Sequence, residues 1–271
     1  MAIQLEQTGE QGAGSGWDAV GHTEGLAWLG DVVSVVVLVA CAIVAILVVR
    51  ALFAQRRYRV TEMLGDEECE RVHQAIRDVE VRTVGEVLPV VVGRSDRHPG
   101  ANWISALVFL LAGSALVSTF LPWHQPALVL LLQAAFGTVG YLVASRLPHF
   151  ARLFVSRDRA TEMADEQAFQ EFYRHALHET EARTGVLIFV SLLEHRVVVL
   201  ADTGIAEEVE PEAWEATRDA VLAGLRRDSL TDGLVDGIRQ AGELLAERFP
   251  YVDGPDGQRN EIPDRLIVRD E

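Results

Sequence analysis

Apolar positions along this chain fall into three patterns, and each predicts a different kind of element. The first is the short continuous run. Val186–Leu192 is one, and the β-branched Val197–Ala201 is another. Runs of this length read as strands, the first buried on both faces. The break Leu193-Glu194-His195 between them predicts a β-hairpin, and Asp202-Thr203-Gly204 is the turn signal that ends it. Glu86–Val92 reads as a further strand. Pro89 within it has no amide to donate, which predicts an edge strand or a bulge.

The second pattern is the helical period. Asp66 caps a helix running to about Thr83, with Val72, Ile76 and Val79 on one face, and Gly85 breaks it. A long amphipathic helix is expected from Asp158 to about Arg183. Its apolar stripe is Phe169, Phe172, Tyr173, Ala176 and Leu177. Pro211 opens another helix, lined by Trp214, Val221, Leu222 and Leu225. Thr231 or Asp232 caps the last, with Leu234, Ile238, Ala241 and Leu245 inward; Gly233, Gly237 and Gly242 permit close approach to a neighbour.

The third pattern is the long apolar block. Residues 32–55, Trp103–Leu121 and Ala127–Leu147 each reach the ~20 residues that a membrane-spanning helix needs. Trp28 and Tyr58 flank the first block, where interfacial aromatics belong. Pro122-Trp123-His124-Gln125-Pro126 is short enough only for a tight turn, so the last two blocks form a hairpin. Helix, Arg-Thr and strand recur at Arg82-Thr83 and Arg183-Thr184, which suggests one soluble domain interrupted by that hairpin. The expected organisation is a disordered tail over 1–31, a first span over 32–55, a first domain piece over 61–98, the hairpin over 102–147, a second piece over 157–250, and a tail over 251–271. Within that tail, only Leu266-Ile267-Val268 is apolar.

Charge orients the spans. Nothing basic precedes the first block, while Arg50, Arg56, Arg57 and Arg59 follow it. Arg94, Arg97, Arg146, Arg152, Arg157 and Arg159 flank the open ends of the hairpin. Both biases put the N-terminus outside and the soluble domain in the cytoplasm of an inner (plasma) membrane protein. The spans carry no acidic residue or arginine at mid-depth, which disfavours an ion pathway.

Composition removes several functions. The net charge of -16 speaks against a nucleic-acid partner, whose phosphates require a basic footprint. No lysine occurs, so Schiff-base chemistry is excluded. Cys41 and Cys69 lie in different contexts and form no metal or phosphatase motif. No phosphate-binding glycine loop, nucleophile elbow or His-Glu-x-x-His helix is present.

Candidate chemistry is sparse. If the strands at 86–92 and 186–192 are parallel neighbours, their C-terminal ends face the membrane. Glu194 and His195 then sit at the membrane-proximal edge, and Asp202 at the far end near Glu86. Asp202 and Glu86 could there hold a divalent cation such as Ca²⁺ or Mg²⁺ through oxygen ligands. Asp202 also fits a plain turn residue, and Glu86 a solvated strand start. His175, His178, Glu171 and Glu179 lie at spacings that share a helix face, and a solvated face is the expectation there. A polar turn is the expectation for Glu194-His195.

The chain resembles the TPM-domain family. The stretches that carry the resemblance are VGEVLPVVVGRSD at 84–96, RTGVLIFVSLLEHRVVVLADTGI at 183–205 and GLVDGIRQAGELLAERFP at 233–250. RNEIPDRLIV at 259–268 resembles a bacterial integral-membrane subgroup in which a transmembrane hairpin interrupts the domain. The resemblance implies an α/β/α sandwich around a small mixed sheet. Family members are associated with acid-phosphatase-like activity, with divalent-cation binding, and with assembly, repair or regulation of membrane complexes. Many relatives carry Asp-Asn before the Gly-Val-Leu strand where this chain has Arg183-Thr184. The leading expectation is an accessory or interaction role beside a membrane-protein partner in the lipid bilayer; the alternative is a metal-dependent phosphatase.

Overall fold

The computed structural model describes residues 60–120, 126–251 and 262–270, with scattered positions between Ala42 and Arg50. The expected N-terminal tail, most of the first apolar block and the tight turn of the hairpin lie outside the described residues.

The labelled elements, in chain order, are α1 (Asp66–Glu80), β1 (Glu86–Val92), α2 (Pro99–Phe120), α3 (Pro126–Arg146), α4 (Pro148–Arg152), α5 (Arg157–Arg174), β2 (Gly185–Ser191), β3 (Arg196–Ala201), α6 (Glu215–Arg226), α7 (Leu230–Arg248) and β4 (Ile267–Arg269). The strands form one mixed sheet in the order β3-β2-β1-β4. β1 runs parallel to β2, with Glu86 opposite Gly185 and Val92 opposite Ser191. β2 and β3 form the antiparallel hairpin, with Val186 opposite Ala201. Ile267 and Val268 of the expected C-terminal tail, with Arg269, form β4, which pairs in parallel with Val90, Val91 and Val92.

That fourth strand revises the reading of Pro89. β1 is an inner strand with a continuous register, so it is neither an edge nor bulged. Glu86 N donates to Thr184 O, and Leu192 N donates to Val92 O. Even-numbered residues of β1 therefore turn their backbone groups toward β2, and Pro89 faces the other flank. There β4 begins only at Val90. The missing amide falls on a stretch with no strand beside it.

Strand alternation splits the core into two layers. Val87, Val91, Val186, Ile188 and Val190 pack against Val72, Ile76 and Val79 of α1, Val221 of α6, and Leu234, Ile238 and Leu245 of α7. Leu88, Val90, Leu187 and Phe189 pack on the other face against Ala164, Ala168 and Phe172 of α5. The inward faces of α1 and α7 are as the period predicts. The predicted close approaches also occur. A Cβ on Gly233 would meet the Gly224 backbone of α6, and one on Gly242 would overlap Val79 of α1.

α5 differs from expectation. It ends at Arg174, and a short 3₁₀ turn, Leu177–Glu179, follows. Its buried stripe is Ala160, Ala164, Ala168 and Phe172, while Phe169 and Tyr173 are exposed. Alanines at every fourth position let the helix lie close on the sheet, and the aromatics flank that contact.

α2 and α3 pack side by side and are both long and apolar enough to cross a membrane. Their contact uses small residues. Phe136 fills the space over Gly113, Phe109 fills that over Gly140, and Ser105 Oγ donates to Gly140 O at 2.9 Å. Such residues let apolar helices approach without a hydrophobic driving force. α4 caps the open end, with Phe150 set edge-on to Phe109.

Candidate functional site

Buried polar groups gather at both ends of the sheet. At the C-terminal ends of β1 and β2, the β2–β3 turn is tied to the exit of β1: Leu192 N donates to Val92 O, and Leu193 N to Gly93 O. Leu192 and Leu193 are buried, and the turn brings the Glu194 side chain inward with them. His195 takes a left-handed backbone, φ 51°, and stays exposed. The partner of Glu194 is therefore not its sequence neighbour. It is His98, 96 positions earlier, whose Nε2 lies 2.7 Å from Glu194 Oε1. Ser191 Oγ and Ser95 N both donate to Glu194 Oε2.

Burial raises the Glu194 pKa. Hydrogen bonds from His98, Ser191 and the Ser95 amide outweigh that effect, and the net shift is downward. The carboxylate is ionised and accepts only, so His98 Nε2 is the donor. Asp96 Oδ2 lies 3.6 Å from the other ring nitrogen. His98 has φ 46°, and its carbonyl accepts from Ala101 N in the first turn of α2. One buried carboxylate thus joins the end of β2, the exit of β1 and the start of α2. Ser191 is fully buried and its hydroxyl is committed to Glu194, so it is not an exposed nucleophile.

Beside this cluster is a cavity of about 210 Å³. His98, Leu193 and Glu194 form one wall, Arg152, Val155, Ser156, Arg157 and Ala160 another, and Arg196 completes it. Arg152 and Arg196 are half-buried and Arg157 is exposed. Arg159, two residues further along α5, does not line the cavity and pairs with Glu162.

The opposite end carries carboxylates. Asp202 N donates to Gly185 O at 2.9 Å, and Glu86 faces Gly185 from the other side. The expected pair is therefore brought to one end of the sheet, with β2 between the two residues. Asp202 Oδ1 caps the turn Thr203–Ala206, accepting from Thr203 N at 2.7 Å; its Oδ2 is buried without a hydrogen bond. Glu80 also lies here. Burial, then the nearby charges of Glu86 and Asp264 and a hydrogen bond with the Asp264 carboxyl, push its pKa up to about 9, against the Val87 amide. Among the described residues, no group of three or more His, Cys, Asp or Glu is arranged to hold a metal ion. Asp202 and Glu86 would be the two protein ligands of a divalent cation there, with no third in place.

The expected solvated face of α5 is corrected. Glu171 is fully buried and accepts from Arg174 at 2.6 Å and Arg269 at 2.8 Å, with His175 Nε2 at 3.2 Å. These contacts fasten α5 to β4. Burial lowers the His175 pKa, helped by Arg269 and Arg174 and opposed by Glu171. His178 lies 3.6 Å from Glu179 and packs against Tyr173, with ring centroids 4.8 Å apart.

The sequence alone pointed to none of His98, Ser191 and Arg196, and Arg152 and Arg157 read only as topology signals. The partners of Glu194 are fixed by strand pairing between segments on either side of the apolar hairpin, and no local spacing reports that.

No family model matches the chain, and no curated protein matches it. Among solved structures, the NMR structure of BA42 protein from the psychrophilic bacterium Bizionia argentinensis is similar at 21% identity and a TM-score of 0.47, covering 76% of this chain and 94% of its own.

Proposed function

We propose that this chain is a multi-pass inner-membrane protein whose TPM-like α/β domain acts as an accessory or interaction module beside a membrane-protein partner. The observation that carries this reading is the Ser191–Glu194–His98 junction. It fixes the sheet to the residue before Pro99, the first residue of a candidate span. A domain held rigidly at the root of a span suits transmission of contacts between soluble and membrane parts. Further support comes from α3, where only 11% of the apolar window is buried within the protein. A soluble core helix would be mostly covered. Trp103 and Tyr141, with ring centroids 5.1 Å apart, occupy the level near the hairpin base where interfacial aromatics gather. The arginine bias supports a cytoplasmic domain and an outside N-terminus.

The alternative, a metal-dependent phosphatase, draws on the buried Asp202 Oδ2, which has no hydrogen bond and lies at the same end of the sheet as Glu86, across β2 from it. One assay separates the two. Purified full-length protein in detergent is given a phosphate ester with Mg²⁺, Mn²⁺ or Ca²⁺, beside Asp202→Asn. The accessory role predicts no turnover above the variant's background from folded protein. Metal-dependent turnover that Asp202→Asn abolishes would replace it with the phosphatase.

A further inference from the structure

We propose that the cavity between the β2–β3 turn and the start of α5 binds the phosphate of an anionic phospholipid headgroup. This rests on the membrane-anchored reading above. Arg152, Arg157 and Arg196 reach the cavity from three separate segments: the end of α4, the start of α5 and the start of β3. Guanidinium groups converging on one space match a tetrahedral oxyanion, which they hold by paired N–H donors. The first turn of α5 contributes Ser156, Arg157 and Ala160 to the wall, and the positive end of its macrodipole adds to the field. The one acidic wall residue, Glu194, is already occupied by three donors. Its charge is balanced locally; Asp165 lies close enough to Arg196 to interact with it, so Arg152 and Arg157 supply most of the charge open to an incoming anion.

Position selects the source of that anion. His98 immediately precedes α2, and Arg152 lies six residues beyond Arg146, the last residue of α3. The cavity therefore sits at the roots of both candidate spans, at headgroup depth. Leu153 is exposed next to it, as an interfacial segment requires. Basic pockets at the base of membrane helices recognise lipid phosphates in this way. A chain of net charge -16 has no broad basic face, and apart from the arginines at the span ends this pocket is where an anionic headgroup would be recognised.

The test uses the full-length chain in vesicles of phosphatidylcholine, with or without phosphatidylglycerol, followed by native mass spectrometry of the lipids retained. Phosphatidylglycerol should be retained about tenfold over phosphatidylcholine. The double substitution Arg152→Gln with Arg196→Gln should abolish that preference. Arg159→Gln, outside the cavity, should keep it. Equal retention of both lipids by the unaltered chain, or a preference that survives the double substitution, overturns the proposal. So does retention of added inorganic phosphate in place of phosphatidylglycerol. Flotation with vesicles of phosphatidylcholine alone tests anchoring separately: a chain that floats yet shows no lipid preference overturns only the cavity assignment, and one that floats with no vesicle overturns the anchored reading itself.

Discussion

Glu194 and Glu80 are both buried carboxyl groups, and their neighbours send them in opposite directions. Three donors hold Glu194 ionised. Removing that carboxylate leaves His98 and Ser191 buried without their acceptor. Glu194→Ala should therefore destabilise the protein by about 3 kcal/mol in urea unfolding. A loss below about 1 kcal/mol would mean that the junction is not the mechanical tie described above. Glu80 instead faces two other carboxyl groups, and its folded pKa of about 9 exceeds the ordinary 4.5. Its contribution is fully present below pH 4.5 and is lost as pH rises toward 9. Glu80→Gln should thus melt about 5 °C above the unaltered protein at pH 8 and level with it at pH 4. Equal melting curves at pH 8 would show that Glu80 ionises freely in the fold.

Elements join through contacts of two kinds here, and each responds differently to perturbation. The α5–β4 junction is electrostatic, with Glu171 at its centre. His175 titrates below its ordinary 6.5 there, so its share of stability is present above that value and is lost as pH falls through the lowered folded pKa. Hydrogen exchange at Ile267–Arg269 should accelerate as pH falls below about 6.5, after correction for intrinsic rates, and His175→Asn should flatten that dependence. The α2–α3 contact is steric instead. Gly113→Val would drive a side chain into Phe136 and should cost about 2 kcal/mol of stability in detergent. Adding Phe136→Ala should recover part of it; no recovery would place the damage elsewhere. The element pattern itself was largely legible. Strands β1, β2 and β3 and the inward faces of α1 and α7 follow from unbroken apolar runs and from a 3.6-residue period of large side chains. α5 was misread because its buried stripe is mostly alanine, which carries a weaker hydrophobic signal than the aromatics beside it.

The described residues form a sheet domain whose chain is interrupted by two long apolar helices. On the membrane-anchored reading proposed above, position 97 and the turn between the two apolar helices should lie on opposite sides of the membrane. In a chain carrying Cys41→Ser and Cys69→Ser, a membrane-impermeant maleimide on intact cells should label Gln125→Cys and spare Arg97→Cys; the reverse pattern would invert the orientation. Sequence alone determined where two long apolar helices interrupt the domain, because runs of about 20 uncharged apolar residues stand out from the amphipathic periods on either side. It also determined the strands, because a run of β-branched residues closed by turn residues suits little else. The parallel pairing of β1 with β2 came only as an assumption, which the register bears out. Tertiary structure alone decided which polar groups meet. Glu194 reaches His98 rather than His195, and Arg152 reaches the same cavity as Arg196, because parallel pairing and the returning hairpin bring together segments that are remote in the chain. A buried charge must find its partners in space, and those partners are set by sheet order and register.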